Sequence, residues 1–304
     1  GRNMPSIERA HYAPPLDVRP KAFSVTEIET LRRDPYAIYA KHVLQLQKIE
    51  PLIRDPGAAD RGNLFHAILD RFHRSGVKAS APEAVRELID IGRQAFDQQQ
   101  FPEDVQEVWW PRFERMAARF IHWERERERV IASTVTEARA VRTPVGQTGV
   151  TLRGFADRID LLPDGRAEII DYKTGSSPSR KQAHTLLAPQ LALEGALIER
   201  GAFEGLGKRA VNDLIFVRLK ANGMVDDESI LEHNRKRVLA EDLIEKSWER
   251  LQELLTHFGD PRNAYISRLL PFRESDMDGD YDHLARVLEW SAGAEDEDDA
   301  GGGE

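Results

Sequence analysis

A mixed α/β fold, with a central mixed β-sheet flanked by helices and further helices added in front of it, is predicted by three observations. Strand-like apolar runs stand at 132–143, 150–162, 166–173 and 212–219. Helical apolar stripes stand at 61–74, 82–99, 103–130, 185–200 and 234–258. In the centre of the chain the order is helix, three strands, helix, strand, which fits one sheet packed between helices.

Residues 1–22 hold Pro5, Pro14, Pro15 and Pro20 with little periodicity, and read as a linker from a larger protein. Ser24 caps the first helix, with Glu27 at the capping-box position. Ile28 and Leu31, then Tyr36, Tyr39 and Val43 after Pro35, continue its apolar stripe. Residues 51–60, with Pro51, Pro56 and Gly57, form a loop ahead of the next three helices. In the third of these, Arg125-Glu126-Arg127-Glu128-Arg129 reads as a solvated face. Trp109 and Trp110 anchor its packing. Pro163-Asp164-Gly165 is a turn joining 150–162 and 166–173 into a hairpin. The stretch 260–290 is mixed, and 291–304 reads as a disordered acidic tail, leaving 23–290 as the domain.

The chain of 304 residues is 40% hydrophobic and 31% charged, with a formal net charge of −9. Six of those negative charges lie at Glu295, Asp296, Glu297, Asp298, Asp299 and Glu304, so the body before the tail is close to neutral and has room for a local basic groove. No apolar run is long enough to span a membrane, and the N-terminus lacks an apolar signal segment. The absence of cysteine excludes disulfides, thiolate zinc and iron–sulfur clusters, and accords with a reducing cytoplasm as the expected compartment.

The chemistry is concentrated at Asp171-Tyr172-Lys173, which closes the run Ala167–Ile170. Residues i and i+2 of a strand face the same way, so Asp171 and Lys173 point into one site, and Asp157 reaches it from the partner strand. Hard carboxylate ligands suit Mg²⁺ or Mn²⁺, and a neighbouring ammonium can orient a water and stabilise charge on a phosphate.

Further residues carry a resemblance. Gly62-Asn63-Leu64-Phe65-His66 opens one helix and Pro189-Gln190-Leu191 opens another. With Gly154-x-x-Asp157 and Asp171-Tyr172-Lys173-Thr174-Gly175, they resemble the RecB-like branch of the PD-(D/E)XK nucleases, whose core is restriction-endonuclease-like. Phe23–Ile28, Asp34–Ala40 and Gly279–Leu284 narrow the resemblance to the C-terminal nuclease domain of the AddB type, the partner of an AddA-type helicase-nuclease subunit. The resemblance implies that His66, Asp157, Asp171 and the Tyr172 carbonyl hold the metal, that Lys173 is catalytic, and that Gln190 fixes the lysine and the DNA. Asp160 competes with Asp157. Three residues apart on a strand they face opposite sides, and the family spacing from Gly154 selects Asp157.

The chain departs from the family twice. Asp34 stands before Pro35 where many relatives carry a cluster-binding cysteine, so no iron–sulfur cluster is expected and closure falls to packing through Tyr36, Tyr39 and the 185–200 helix. Glu194 stands where Gln-x-x-x-Tyr would place a tyrosine.

Other motifs fail. Gly207-Lys208-Arg209 is not a phosphate loop, because Ala202 replaces its first glycine. Asp276, Asp278 and Asp280 miss the glycine and glutamate of a calcium loop. Asp70 and His73 read as a solvated helix face. The expectation is a metal-dependent nuclease that cuts single-stranded DNA ends produced by a partner helicase during double-strand break resection. The alternatives are a non-catalytic DNA-binding scaffold and a standalone exonuclease with the same site.

Overall fold

The computed structural model describes residues 9, 11–47, 55–175, 177–233, 236–270 and 279–290. The chain divides into two compact units, one made of 1–50, 144–152 and 249–304, the other of 51–143 and 153–248.

The second unit carries the sheet. Its strands are β2 (Ser133–Arg139), β5 (Phe155–Leu161), β6 (Ala167–Lys173), β7 (Val211–Leu219) and β8 (Val225–Ser229), in the order β2-β5-β6-β7-β8. β6 and β7 run parallel and the other pairs antiparallel, so the sheet is mixed as expected. The β5–β6 hairpin closes through the predicted turn. Gly165 takes φ +85°, and its N–H donates to the Leu162 carbonyl.

Three helices cover one sheet face: α3 (Ala58–Ser75), α4 (Ala84–Gln99) and α5 (Glu103–Glu128). Leu64, Phe65, Ile68 and Phe72 of α3 join Phe96, Phe113 and Phe120 and the strand residues Ile170, Tyr172, Ile215 and Val217 in one buried cluster. Trp109 is buried there, and Trp110 meets Phe96 edge to face at 5.2 Å. After the short helix α6 (Arg180–Ala183), α7 (Gln190–Glu199) packs on β6 and β7. Every residue from Leu191 to Ile198 is buried, which explains why α7 is apolar all round.

In the first unit, β1 (Ala22–Ser24) leads into α1 (Val25–Arg33) through the expected capping box. α2 (Pro35–Ile38) and a π-helical stretch Tyr39–Val43 follow. Tyr12 and Tyr39 stack at 5.2 Å, and Tyr36 meets both rings at a tilt. Residues 11–21, expected as linker, are held by the buried Arg19, which donates to the carbonyls of Pro14, Phe258, Asp260 and Pro261.

Several expected elements differ from those observed. The strand at 132–143 ends at Arg139, with a separate β3 (Thr143–Pro144). The strand at 150–162 splits at Gly154 into β4 (Thr151–Arg153) and β5, which belong to different sheets. The helix at 185–200 begins only at Gln190. The helix at 234–258 is α8 (Ala240–His257), preceded by β9 (Glu232–His233) and β10 (Lys236–Arg237). Arg125–Arg129 is a solvated face only in part: Glu126 and Arg129 are exposed, but Arg127 and Glu128 are not. Arg127 pairs with Asp160 at 2.7 Å and Glu168 at 2.6 Å, and Glu128 accepts from the Ala79 N–H. His73 is not solvated either. It meets Arg158 Nη1 at 3.2 Å, and burial followed by that cation pushes its imidazole down to about 3. Asp276, Asp278 and the tail 291–304 lie outside the described residues.

Candidate active site

β5 and β6 pair only as far as Arg158 and Ile170. Beyond that point they splay, and the Tyr172 N–H donates to Asp157 Oδ2 at 3.0 Å in place of a ladder bond. The carboxylate of one strand thus fixes the backbone of the other at the point where Asp171 and Lys173 emerge. Lys173 Nζ lies 2.7 Å from Asp171 Oδ2, as their i, i+2 spacing requires.

His66 enters from α3. Its Nε2 meets the Tyr172 carbonyl at 2.8 Å, and its Nδ1 lies 3.4 Å from Asp157 Oδ2. At Gly62, α3 comes into van der Waals range of the end of β6. A Cβ on Gly62 would stand 3.4 Å from Thr174 Oγ1. Four of the predicted residues, His66, Asp157, Asp171 and Lys173, are therefore brought together, with the Tyr172 carbonyl among them. Gln190 starts α7, and its side chain opposes the upward push on the Glu194 carboxyl.

Electrostatics in this pocket is unbalanced. Asp171 is 2% exposed, and burial, with Asp157 adding to it, raises its carboxyl despite Lys173. Burial opposes the charge on Lys173, but Asp171 more than offsets that and raises the ammonium. Asp171 Oδ2 has an ion pair off the line of a hydrogen bond and no hydrogen-bond partner; Glu194 Oε2, in a side chain 1% exposed, has none either. Burial, then Asp171 and Asp157, hold the Glu194 carboxyl well above the usual range.

Asp160 faces away, as its spacing from Asp157 predicts. It takes Arg158 Nε at 2.7 Å, Arg127 at 2.7 Å and the Thr134 hydroxyl at 2.8 Å. The sequence reading missed Glu137, a β2 residue at φ +51° whose carboxyl is raised by burial and by Asp157. It is an ordinary acid in a strand, and only the register of β2 on β5 brings it beside the site.

The donor set is two strand carboxylates, an imidazole, a carbonyl and a buried glutamate. It fits a hard divalent cation, which would satisfy the orphaned oxygens. Among the described residues, no three His, Asp or Glu side chains stand at coordination geometry.

The family model of the PD-(D/E)XK nuclease superfamily matches residues 22–268. Among curated proteins the chain is similar to an uncharacterized protein of Rickettsia bellii (strain RML369-C), 28% identical over 185 residues, covering 60% of this chain and 22% of that protein. It is also similar to an uncharacterized protein of Rickettsia felis (strain ATCC VR-1525 / URRWXCal2), 27% identical over 209 residues, covering 67% and 24%. The chain thus spans about a quarter of the length of these relatives. Among solved structures it is similar to that of SSO0001 at 14% identity over 77% of this chain and 76% of that one, with a TM-score of 0.30, too slight a likeness to argue from.

Proposed function

The chain belongs to the PD-(D/E)XK nuclease superfamily, and from that premise we propose that it is a metal-dependent deoxyribonuclease acting on single-stranded DNA ends. The observation that carries this reading is the meeting of His66, Asp157, Asp171 and Lys173 where β5 and β6 splay. His66, Asp157, Asp171 and the Tyr172 carbonyl would hold Mg²⁺ or Mn²⁺, and the bound ion would supply an activated water and neutralise phosphate charge. Lys173, kept protonated by Asp171, orients the water and stabilises negative charge on the scissile phosphate. Gln190, at the start of α7, fixes the position of the lysine and the strand.

The setting belongs to the same proposal. An AddA-type helicase partner would deliver the strand during double-strand break repair in the cytoplasm. No helix among the described residues is long and apolar enough to cross a membrane.

The test is cleavage of labelled single-stranded DNA with Mg²⁺, Mn²⁺ or EDTA. Wild type should cut with either metal and not with EDTA. Lys173→Ala and Asp171→Asn should lose at least about 100-fold in rate while keeping the wild-type circular dichroism spectrum. Undiminished cutting by both variants would sink the assignment. That no three side chains among the described residues are preset for a metal favours a second reading, a non-catalytic DNA-binding scaffold. Mn²⁺ binding by wild type, lost in Asp171→Asn, would exclude it.

A further inference from the structure

Against a net charge of −9, one helix face beside the site carries the opposite sign. Arg112, Arg115 and Arg119 stand at i, i+3 and i+7 on α5, a spacing that places them on one face. Arg115 and Arg119 are exposed and Arg112 is half-buried. Among the described residues, no carboxylate stands within ion-pair distance of these three or of Arg61 on α3. Elsewhere in the unit, Arg74 pairs with Asp70, Arg93 with Glu114 and Arg218 with Glu228.

Two contacts tie the unpaired arginines to the site and to the sheet. Arg61 Nη2 donates to the carbonyl of Thr174 at 3.3 Å, one residue beyond Lys173. At the other end Arg119 Nη1 donates to the carbonyl of Asn222 at 3.4 Å, in the turn between β7 and β8. Gly223 in that turn packs so closely that a Cβ there would stand 2.9 Å from Arg115 Cβ. The row therefore starts at the end of β6 and follows the β7–β8 turn. Arg61 and Arg112 also repel each other. Burial first, and then Arg112, lowers the Arg61 guanidinium. Like charges held side by side, with no counter-ion among the described residues, are relieved by a polyanion from outside.

We infer that Arg61, Arg112, Arg115 and Arg119 form a phosphate track that leads a DNA strand to Lys173. The identity of the polyanion rests on the nuclease reading; the track itself rests on the unpaired charges and their alignment. The three α5 positions span about 10 Å along the helix axis, long enough to meet successive phosphates of one strand.

The experiment is fluorescence anisotropy of a labelled single-stranded oligonucleotide in EDTA, where nothing is cut, over a series of salt concentrations. The triple variant Arg112→Gln/Arg115→Gln/Arg119→Gln should bind at least about 10-fold more weakly at low salt. Its slope of log affinity against log salt should be shallower by about 2, since each lost single-strand phosphate contact removes roughly 0.7. The triple lysine variant should keep most of the slope, and Arg86→Gln on α4 should match wild type. Asp171→Asn separates the two readings. If it fails to cut yet binds with the wild-type slope, site and track are distinct parts of one nuclease. If wild type binds through the arginines but never cuts, the track stands and the nuclease reading falls. A wild-type slope in the glutamine triple, equal losses in the lysine triple, or no binding by wild type would overturn the track.

Discussion

Arg158 and Asp160, two residues apart on β5, form an ion pair of 2.7 Å in which both side chains are 0% exposed. Arg158 also donates to Glu124 Oε1 at 3.0 Å and to the Tyr172 hydroxyl at 3.1 Å, so it underlies the strand that presents the site. Taking two charges out of water is repaid only while every partner is present. Arg158→Met strips the cation from Glu124, which is 3% exposed, and should cost about 3–5 kcal/mol in urea unfolding. Arg86→Met, whose pair with Asp90 is open to solvent, should change stability by less than about 0.5 kcal/mol. Equal effects of the two would show that burial does not set the energetics of these pairs.

Gly92 puts two opposing magnitudes in competition. It lies inside α4, where alanine would ordinarily gain about 1 kcal/mol. A Cβ there would overlap the ring of Phe113 at Cε1, and Phe113, on α5, is fully buried. Overpacking costs about 1–3 kcal/mol, so packing should win and Gly92→Ala should lower the melting temperature. A rise would mean that the Phe113 ring can turn aside freely.

What could be read from the sequence was local. Pro163-Asp164-Gly165 gave the hairpin, Ser24 with Glu27 the start of α1, and the i, i+2 rule the meeting of Asp171 and Lys173. What escaped depends on distant partners. Arg127 sits in an alternating charged run that looks solvated, because Asp160 and Glu168 lie 33 and 41 residues away. β8 carries three acids, Asp226, Asp227 and Glu228, and becomes a strand through its antiparallel register on β7. Gln190 and Glu194 are visible as motif positions, but the burial of Glu194 shows only in the packed helix. A single acid in the otherwise apolar run Leu191–Ile198 was the available signal.

Glu27 gives the first unit a pH signature. Burial alone would raise its carboxyl, but Lys41, the Ser24 N–H and His42 together draw it down from 4.5 to about 2. With the folded value below the unfolded one, the stabilisation is fully present above pH 4.5 and is lost as pH falls towards 2. Lys41 is 55% exposed, which screens the pair, so about 1–3 kcal/mol is expected. Urea titrations between pH 6 and pH 3 should show the stability gap between wild type and Glu27→Gln narrowing with acid. A constant gap would remove Glu27 from the acid response.

Glu194 tests what the site gives up in order to bind a cation. Its side chain is 1% exposed, its Oε2 has no hydrogen-bond partner, and Asp171 and Asp157 are its electrostatic neighbours. An acid held neutral by burial must take up a proton as the chain folds at neutral pH, which costs stability, and an amide of the same shape avoids that cost while still accepting and donating hydrogen bonds. In EDTA, Glu194→Gln should therefore be more stable than wild type by about 1–3 kcal/mol. If the acid is held there for a metal, the order changes when Mn²⁺ is added. Wild type then gains more melting temperature than the variant, because a cation bound only to the folded state stabilises it by mass action. Thermal melts of both proteins with and without Mn²⁺ decide the matter. A variant less stable than wild type in EDTA would show that Glu194 is a structural partner and carries no stored electrostatic cost.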